Sequence, residues 1–157
     1  MTWMYEQIKD FFGESFIFRN TSKRYLNEVF KNGKPIVSEY DYLNILKASK
    51  NAKSSEKKYA KIMTKILDKA DIRPLKLISF DIITMNSKIL FVTNKGKHIG
   101  LKLVYPEHAN KSKGDISVFS RLGICLLGKK KGHKIRKNYY IHEIIYQPQD
   151  KGYVHEA

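Results

Sequence analysis

The spacing of apolar residues changes period near Leu75–Leu77, and that change divides the chain into a helical part and a strand part. Upstream, Tyr59, Ile62, Met63, Ile66, Leu67 and Ala70 follow the i, i+3, i+4, i+7, i+8, i+11 pattern of one helix face. Downstream, Val, Ile, Phe and Tyr crowd into short runs cut by turn residues, which is the pattern of strands. At 157 residues the chain can bury one core and a small appendage.

The helical part predicts an antiparallel hairpin within residues 35–74. Lys34-Pro35-Ile36-Val37 reads as a short extended lead-in. Ser38-Glu39-Tyr40-Asp41 reads as a helix start with acidic residues in its first turn. Tyr42, Ile45, Leu46 and Ser49 form one face, and the polar stretch 47–55 breaks it. Ser54 or Ser55 can cap a second helix that Arg73-Pro74 ends, so helices are expected over 39–50 and 55–70. Residues 1–34 hold two more helical patterns. One has Met4, Tyr5, Ile8, Phe11 and Phe12. The other has Tyr25, Leu26, Val29 and Phe30, with Thr21 or Ser22 as cap and Gly33 as stop. They read as an extension packed on the domain rather than as a docking element, since apolar stripes are usually core faces.

The strand part, 77–157, predicts strands at 81–85, 88–93, 97–105, 116–119 and 139–146. Asn94-Lys95-Gly96 supplies a hairpin turn. Leu122–Leu127 reads as a short helix stopped by Gly128. The fold class is therefore α+β: helical extension, short antiparallel helical hairpin, then an antiparallel sheet of four to six strands with one short helix.

Lys and Arg number 30 against 15 acidic residues, a formal charge of +15. Such a chain is attracted to polyanions or to an acidic protein surface. Basic clusters at 47–61 and 129–137, with Tyr139 and Tyr140 nearby, could grip phosphates and stack bases. They imply weak, non-specific nucleic-acid binding, and make a basic nucleic-acid- or ribosome-associated binding protein the alternative function. The single cysteine, Cys125, permits no internal disulfide and fits a reducing cytoplasm. No apolar run approaches the roughly 18 residues of a membrane span. No basic segment leads into an apolar one at the N-terminus, so neither a membrane anchor nor a signal peptide is expected.

No catalytic, metal or cofactor residue is expected. The five histidines show no metal spacing. Ile141-His142-Glu143 lacks the second histidine of a zinc helix. On a strand its two polar side chains would point to opposite faces. Cys125 reads as a small buried hydrophobe. Gly128-Lys129-Lys130-Lys131-Gly132 lacks the spacing of a phosphate loop, so Lys129, Lys130 and Lys131 read as a solvated turn adding to the basic field.

Five tetra- and tripeptides stand in order: Thr84-Met85-Asn86-Ser87, Leu103-Val104-Tyr105-Pro106, Ile116-Ser117-Val118, Leu126-Leu127-Gly128 and Tyr146-Gln147-Pro148. In order and spacing they resemble the C-terminal domain of the GreA/GreB transcription elongation factor family. The branch they most resemble is the regulator of nucleoside diphosphate kinase (Rnk). The resemblance implies an FKBP-like β-domain after a helical hairpin that serves as a coiled-coil arm. It implies a partner, bacterial RNA polymerase, bound near the secondary channel, and a docking face at Ser117, Ser120, Arg121 and Leu122. Arg121 stands where the family usually has proline. Gly132-His133 replaces a Gly-Asp pair, and a Pro-Gly-Gly hairpin is missing between Lys134 and Tyr139. A proline isomerase reading of an FKBP-like fold would rest on fold analogy alone.

Cleavage factors of this family hold Mg²⁺ on carboxylates at the arm tip. Here the tip carries Lys47, Lys50 and Lys53, with no carboxylate before Glu56. A cationic tip repels the metal it would need. The resemblance and this departure together imply a non-enzymatic, polymerase-binding transcription regulator without transcript cleavage. The oligomeric state is left open by the sequence.

Overall fold

Ser38 ends one strand and starts a helix. Its Oγ accepts the Asp41 N–H at 3.0 Å, satisfying a donor that the first helical turn would leave unpaired. Asp41, buried, turns its Oδ2 the other way and accepts the Met85 N–H at 3.1 Å, across 44 residues of sequence. One cap thus fastens the hairpin to the strand part.

The computed structural model describes residues 21–135 and 139–148, with only the backbone of Thr21 and Ser22. The expected helix around Met4, Tyr5, Ile8, Phe11 and Phe12, the caps at Thr21 or Ser22, and His155 lie outside what is described. Helix α1 (Thr21–Phe30) leads through Gly33, at φ +98°, into β1 (Ile36–Ser38). The hairpin follows as α2 (Glu39–Lys50) and α3 (Lys57–Lys69). Its second cap is not Ser54 or Ser55. Helix α3 begins without a side-chain cap, and Glu56 instead accepts the Lys53 N–H at 3.3 Å across the tip turn.

The second helix ends at Lys69, before the expected stop at Arg73-Pro74. Asp71–Arg73 is a strand, β2, pairing parallel with β1 in the register Val37↔Ile72. A three-residue strand flanked by a helix end and a proline is too short to show a period. The unit is strand, two helices, strand, closed by a parallel pair.

The second sheet holds β3 (Lys88–Thr93), β4 (His98–Val104), β5 (Asp115–Ser117), β6 (Lys134–Ile135) and β7 (Tyr139–Tyr146), in the order β5-β4-β3-β7-β6. Three of its pairings are antiparallel, as expected, while β5 runs parallel to β4. The short helix is α4 (Arg121–Leu126), and Gly128 behind it has φ +79°.

Residues 81–85 are not a strand. Only Ile82 makes a bridge, to Lys130. The backbone donors nearby are taken by side chains and turns: Thr84 N–H by Ser87 Oγ at 2.9 Å, Met85 N–H by Asp41. Asn86 sits at φ +66°, a left-handed position that asparagine tolerates well. The Thr84–Ser87 tetrapeptide is therefore a turn.

Strand β7 carries two register shifts against β3, at Ile145 and at His142. The shift at His142 breaks the alternation, so His142 and Glu143 are both exposed rather than on opposite faces. One apolar cluster runs from Tyr25 and Val29 of α1 through Ile45, Ile62, Met63 and Ile66 of the hairpin to Ile89, Phe91, Leu103 and Ile141 of the sheet. The hairpin is thus packed into the same core as the sheet. No helix among the described residues is long and apolar enough to cross a membrane.

Candidate functional site

The segment from Ser117 to Gly123 is built by its own hydroxyls. Ser117 Oγ accepts the Phe119 N–H at 3.0 Å. Ser120 Oγ donates to the Ser117 carbonyl at 2.6 Å and accepts the Gly123 N–H at 3.0 Å, which makes it the N-cap of α4. Gly123 is there for space. A Cβ on it would sit 2.0 Å from the Ser117 carbonyl oxygen. Helix α4 therefore lies backbone against backbone on the end of β5.

Of the four residues assigned to docking, Ser117, Ser120 and Arg121 are half-buried, and Leu122 is 4% exposed within the main core cluster. Leu122 packs inward. Arg121 reaches back to the hairpin, its Nε donating to Tyr59 Oη at 3.1 Å. The Tyr59 ring meets Tyr25 of α1 edge-on at 6.2 Å. The Arg121 guanidinium thus ties α4 to α3, and it is not simply solvated.

The hairpin tip presents Lys47, Lys50 and Lys53, all exposed. Glu56 is the one carboxylate in 47–56, and its bond to the Lys53 N–H keeps it in the turn. The tip lies beside the β-domain. A cleft of about 280 Å³ is lined by Asn44, Lys47, Ala48, Lys53 and Glu56 of the hairpin, and by Pro106 and Glu107 beyond β4.

The basic loop divides. Lys130 and Lys131 are exposed, but Lys129 is 3% exposed, contrary to the expected solvated turn. Its Nζ donates to the Val29 carbonyl in the last turn of α1. A cation suits the negative end of a helix. Burial nevertheless lowers its pKa to about 8, only partly opposed by Cys125 and Glu28. Sequence could not separate Lys129 from its neighbours, because the burying element lies 100 residues upstream. His133 accepts the Lys130 N–H on Nδ1 at 3.1 Å. Burial, then Lys129 and Lys130, hold its pKa below the usual histidine range.

Residues 78–144 match the family model described as transcription elongation factor, GreA/GreB, C-terminal. The prokaryotic transcription elongation factor GreA/GreB from Nitrosomonas europaea is similar in structure, with TM-score 0.62 and 23% identity, covering 72% of this chain and 98% of that one. That is a likeness of fold. GreA factor homolog 1 of Thermus thermophilus gives TM-score 0.35 and 15% identity, over 71% of this chain and 97% of that one. Among curated proteins no match was found.

Proposed function

We propose, from the match of residues 78–144 to the GreA/GreB C-terminal family model, that this chain is a cytoplasmic, non-enzymatic regulator that binds RNA polymerase near its secondary channel, in the manner of the Rnk branch, and does not stimulate transcript cleavage. The observation that carries the second half is the arm tip. Lys47, Lys50 and Lys53 are exposed around Glu56, the one carboxylate of the tip segment, which already accepts a backbone N–H; Glu107, across the cleft, belongs to the β-domain. Mg²⁺ requires hard oxygen ligands, and phosphoryl displacement requires its charge neutralised. A lysine tip supplies no such ligands and repels the metal.

The arm's reach argues the same way. Its helices hold 12 and 13 residues, about 20 Å at 1.5 Å per residue. The tip stands beside Pro106 and Glu107 of the β-domain rather than far from it. The contact face is read at the α4 turn, with Arg121 as the residue able to reach both Tyr59 and an acidic partner.

The test is RNA cleavage in a backtracked polymerase complex. With saturating protein, cleavage is expected to equal that of polymerase and Mg²⁺ alone. Stimulated cleavage that disappears in Glu56→Ala overturns the reading.

A further inference from the structure

The outer face of the five-stranded sheet carries a row of side chains in register across four strands. Lys134 of β6 pairs with Tyr140 of β7, Tyr140 with Val92 of β3, and Val92 with His98 of β4. The register shift in β7 adds His142 to this row. Its ring meets His98 edge-on at 5.4 Å and Tyr140 at 6.2 Å. Three rings thus flank Val92, which is 5% exposed, while Tyr140 is 37% exposed and both histidines are exposed.

The same face continues through Leu90 and Gly100, both half-buried, to Lys88 opposite Lys102. Aromatic rings with a shallow apolar centre are therefore bordered by lysines at both ends. Glu143, beside Leu90, and Asp115, beside Lys102, are the acidic residues the register places there. The opposite side of these strands, with Ile89, Phe91, Ile99 and Ile141, is fully buried.

We infer that this outer sheet face is a binding platform for single-stranded nucleic acid, with Tyr140 and His142 stacking on bases and Lys88, Lys102 and Lys134 meeting phosphates. Rings flanked by cations fit a strand whose bases are unpaired, because every base offers a π-face and every nucleotide a charge. A duplex hides those faces, so single strands should be preferred. The inference does not depend on polymerase binding. It shares Lys134 and Tyr140 with the basic cluster at 129–137 and its neighbours, and places the contact on the sheet face rather than in the loops.

The experiment measures fluorescence anisotropy of the full chain with a labelled oligouridylate of about 15 nucleotides, and with an RNA duplex of equal length. Tyr140→Leu keeps an apolar cover beside Val92 but removes the aromatic face, whereas Tyr140→Phe keeps both. The expected result is a loss of about 5- to 100-fold for Tyr140→Leu and for His142→Leu, the range of stacking losses per base. Tyr140→Phe should bind as the parent does. A variant with Lys47, Lys50 and Lys53 changed to Gln loses three charges elsewhere and should fall less than Tyr140→Leu. Thermal melts confirm that the variants fold. The inference is overturned if the duplex binds as tightly as the single strand. It is equally overturned if folded Tyr140→Leu binds as the parent does while the triple lysine variant fails, since net charge alone would then account for the binding.

Discussion

At the scale of residues, three positions decide local structure for reasons that composition does not show. Gly123 has an ordinary helical backbone, but its missing Cβ lets α4 touch the Ser117 carbonyl. Gly123→Ala should cost about 1–3 kcal/mol or more, since the clashing atom is backbone and cannot rotate away. A urea melt measures it, and a neutral effect would show that α4 is free to shift. Tyr105 is the buried side chain whose hydroxyl has no hydrogen-bond partner among the described residues. Burial, then Asp41, Tyr40 and Glu107, push its ionisation far above the usual range. Tyr105→Phe removes an unpaired polar atom and should leave stability unchanged or raise it by about 1 kcal/mol; a clear loss in the melt would mean that the hydroxyl has a partner after all. Lys129 gives the third test. Its folded pKa of about 8 lies below its ordinary 10.5, so between those values the unfolded chain holds the extra proton. Stability should then rise with pH across that window by up to about 3 kcal/mol, and be flat in this respect below pH 8, where both states are charged. Melts of the parent and of Lys129→Met at pH 7.5 and pH 10 isolate the effect: the parent should gain stability relative to Lys129→Met as pH rises. A constant difference contradicts a buried ammonium.

At the scale of elements, the long periodic segments were legible and the short ones were not. Helices α2 and α3 and strands β3, β4 and β7 fall within a residue or two of where apolar spacing puts them, because each repeats its period at least twice. Strands β2 and β6 hold three and two residues, too few to carry a period. Residues 81–85 look like a strand by composition, yet the Thr84 and Met85 donors go to Ser87 and Asp41, partners that no local pattern reveals. The candidate face was legible only in part. The Ser117–Gly123 segment could be picked out by resemblance, but the cap role of Ser120, the inward packing of Leu122 and the bond from Arg121 to Tyr59 depend on neighbours distant in sequence. These contacts change how that face should be probed. A substitution of Ser120 removes a cap worth about 1 kcal/mol, and one of Leu122 opens the core, so either loses binding through folding. Arg121→Glu is the cleaner variant. It gives up the bond to Tyr59 among its contacts and reverses a half-exposed charge without opening the core. It should weaken polymerase binding at least tenfold in a folded protein, and unchanged binding would move the interface elsewhere.

At the scale of the whole molecule, one core joins helices and sheet, and a charge of +15 surrounds it. That charge draws the chain toward any polyanion, so binding at low salt discriminates nothing. A surface that docks on a protein through a compact, partly apolar centre is weakly screened. Phosphate contacts, in contrast, lose about 10³–10⁵ in affinity between 50 and 200 mM salt when six to ten are made. The central proposal is that residues 78–144, which match the GreA/GreB C-terminal family model, take this chain to RNA polymerase itself. Its most direct test is capture of core RNA polymerase by the tagged full-length chain at 200 mM salt, before and after nuclease digestion. Polymerase retained equally in both is the predicted result. Polymerase lost on digestion, or never captured while nucleic acid is, contradicts it.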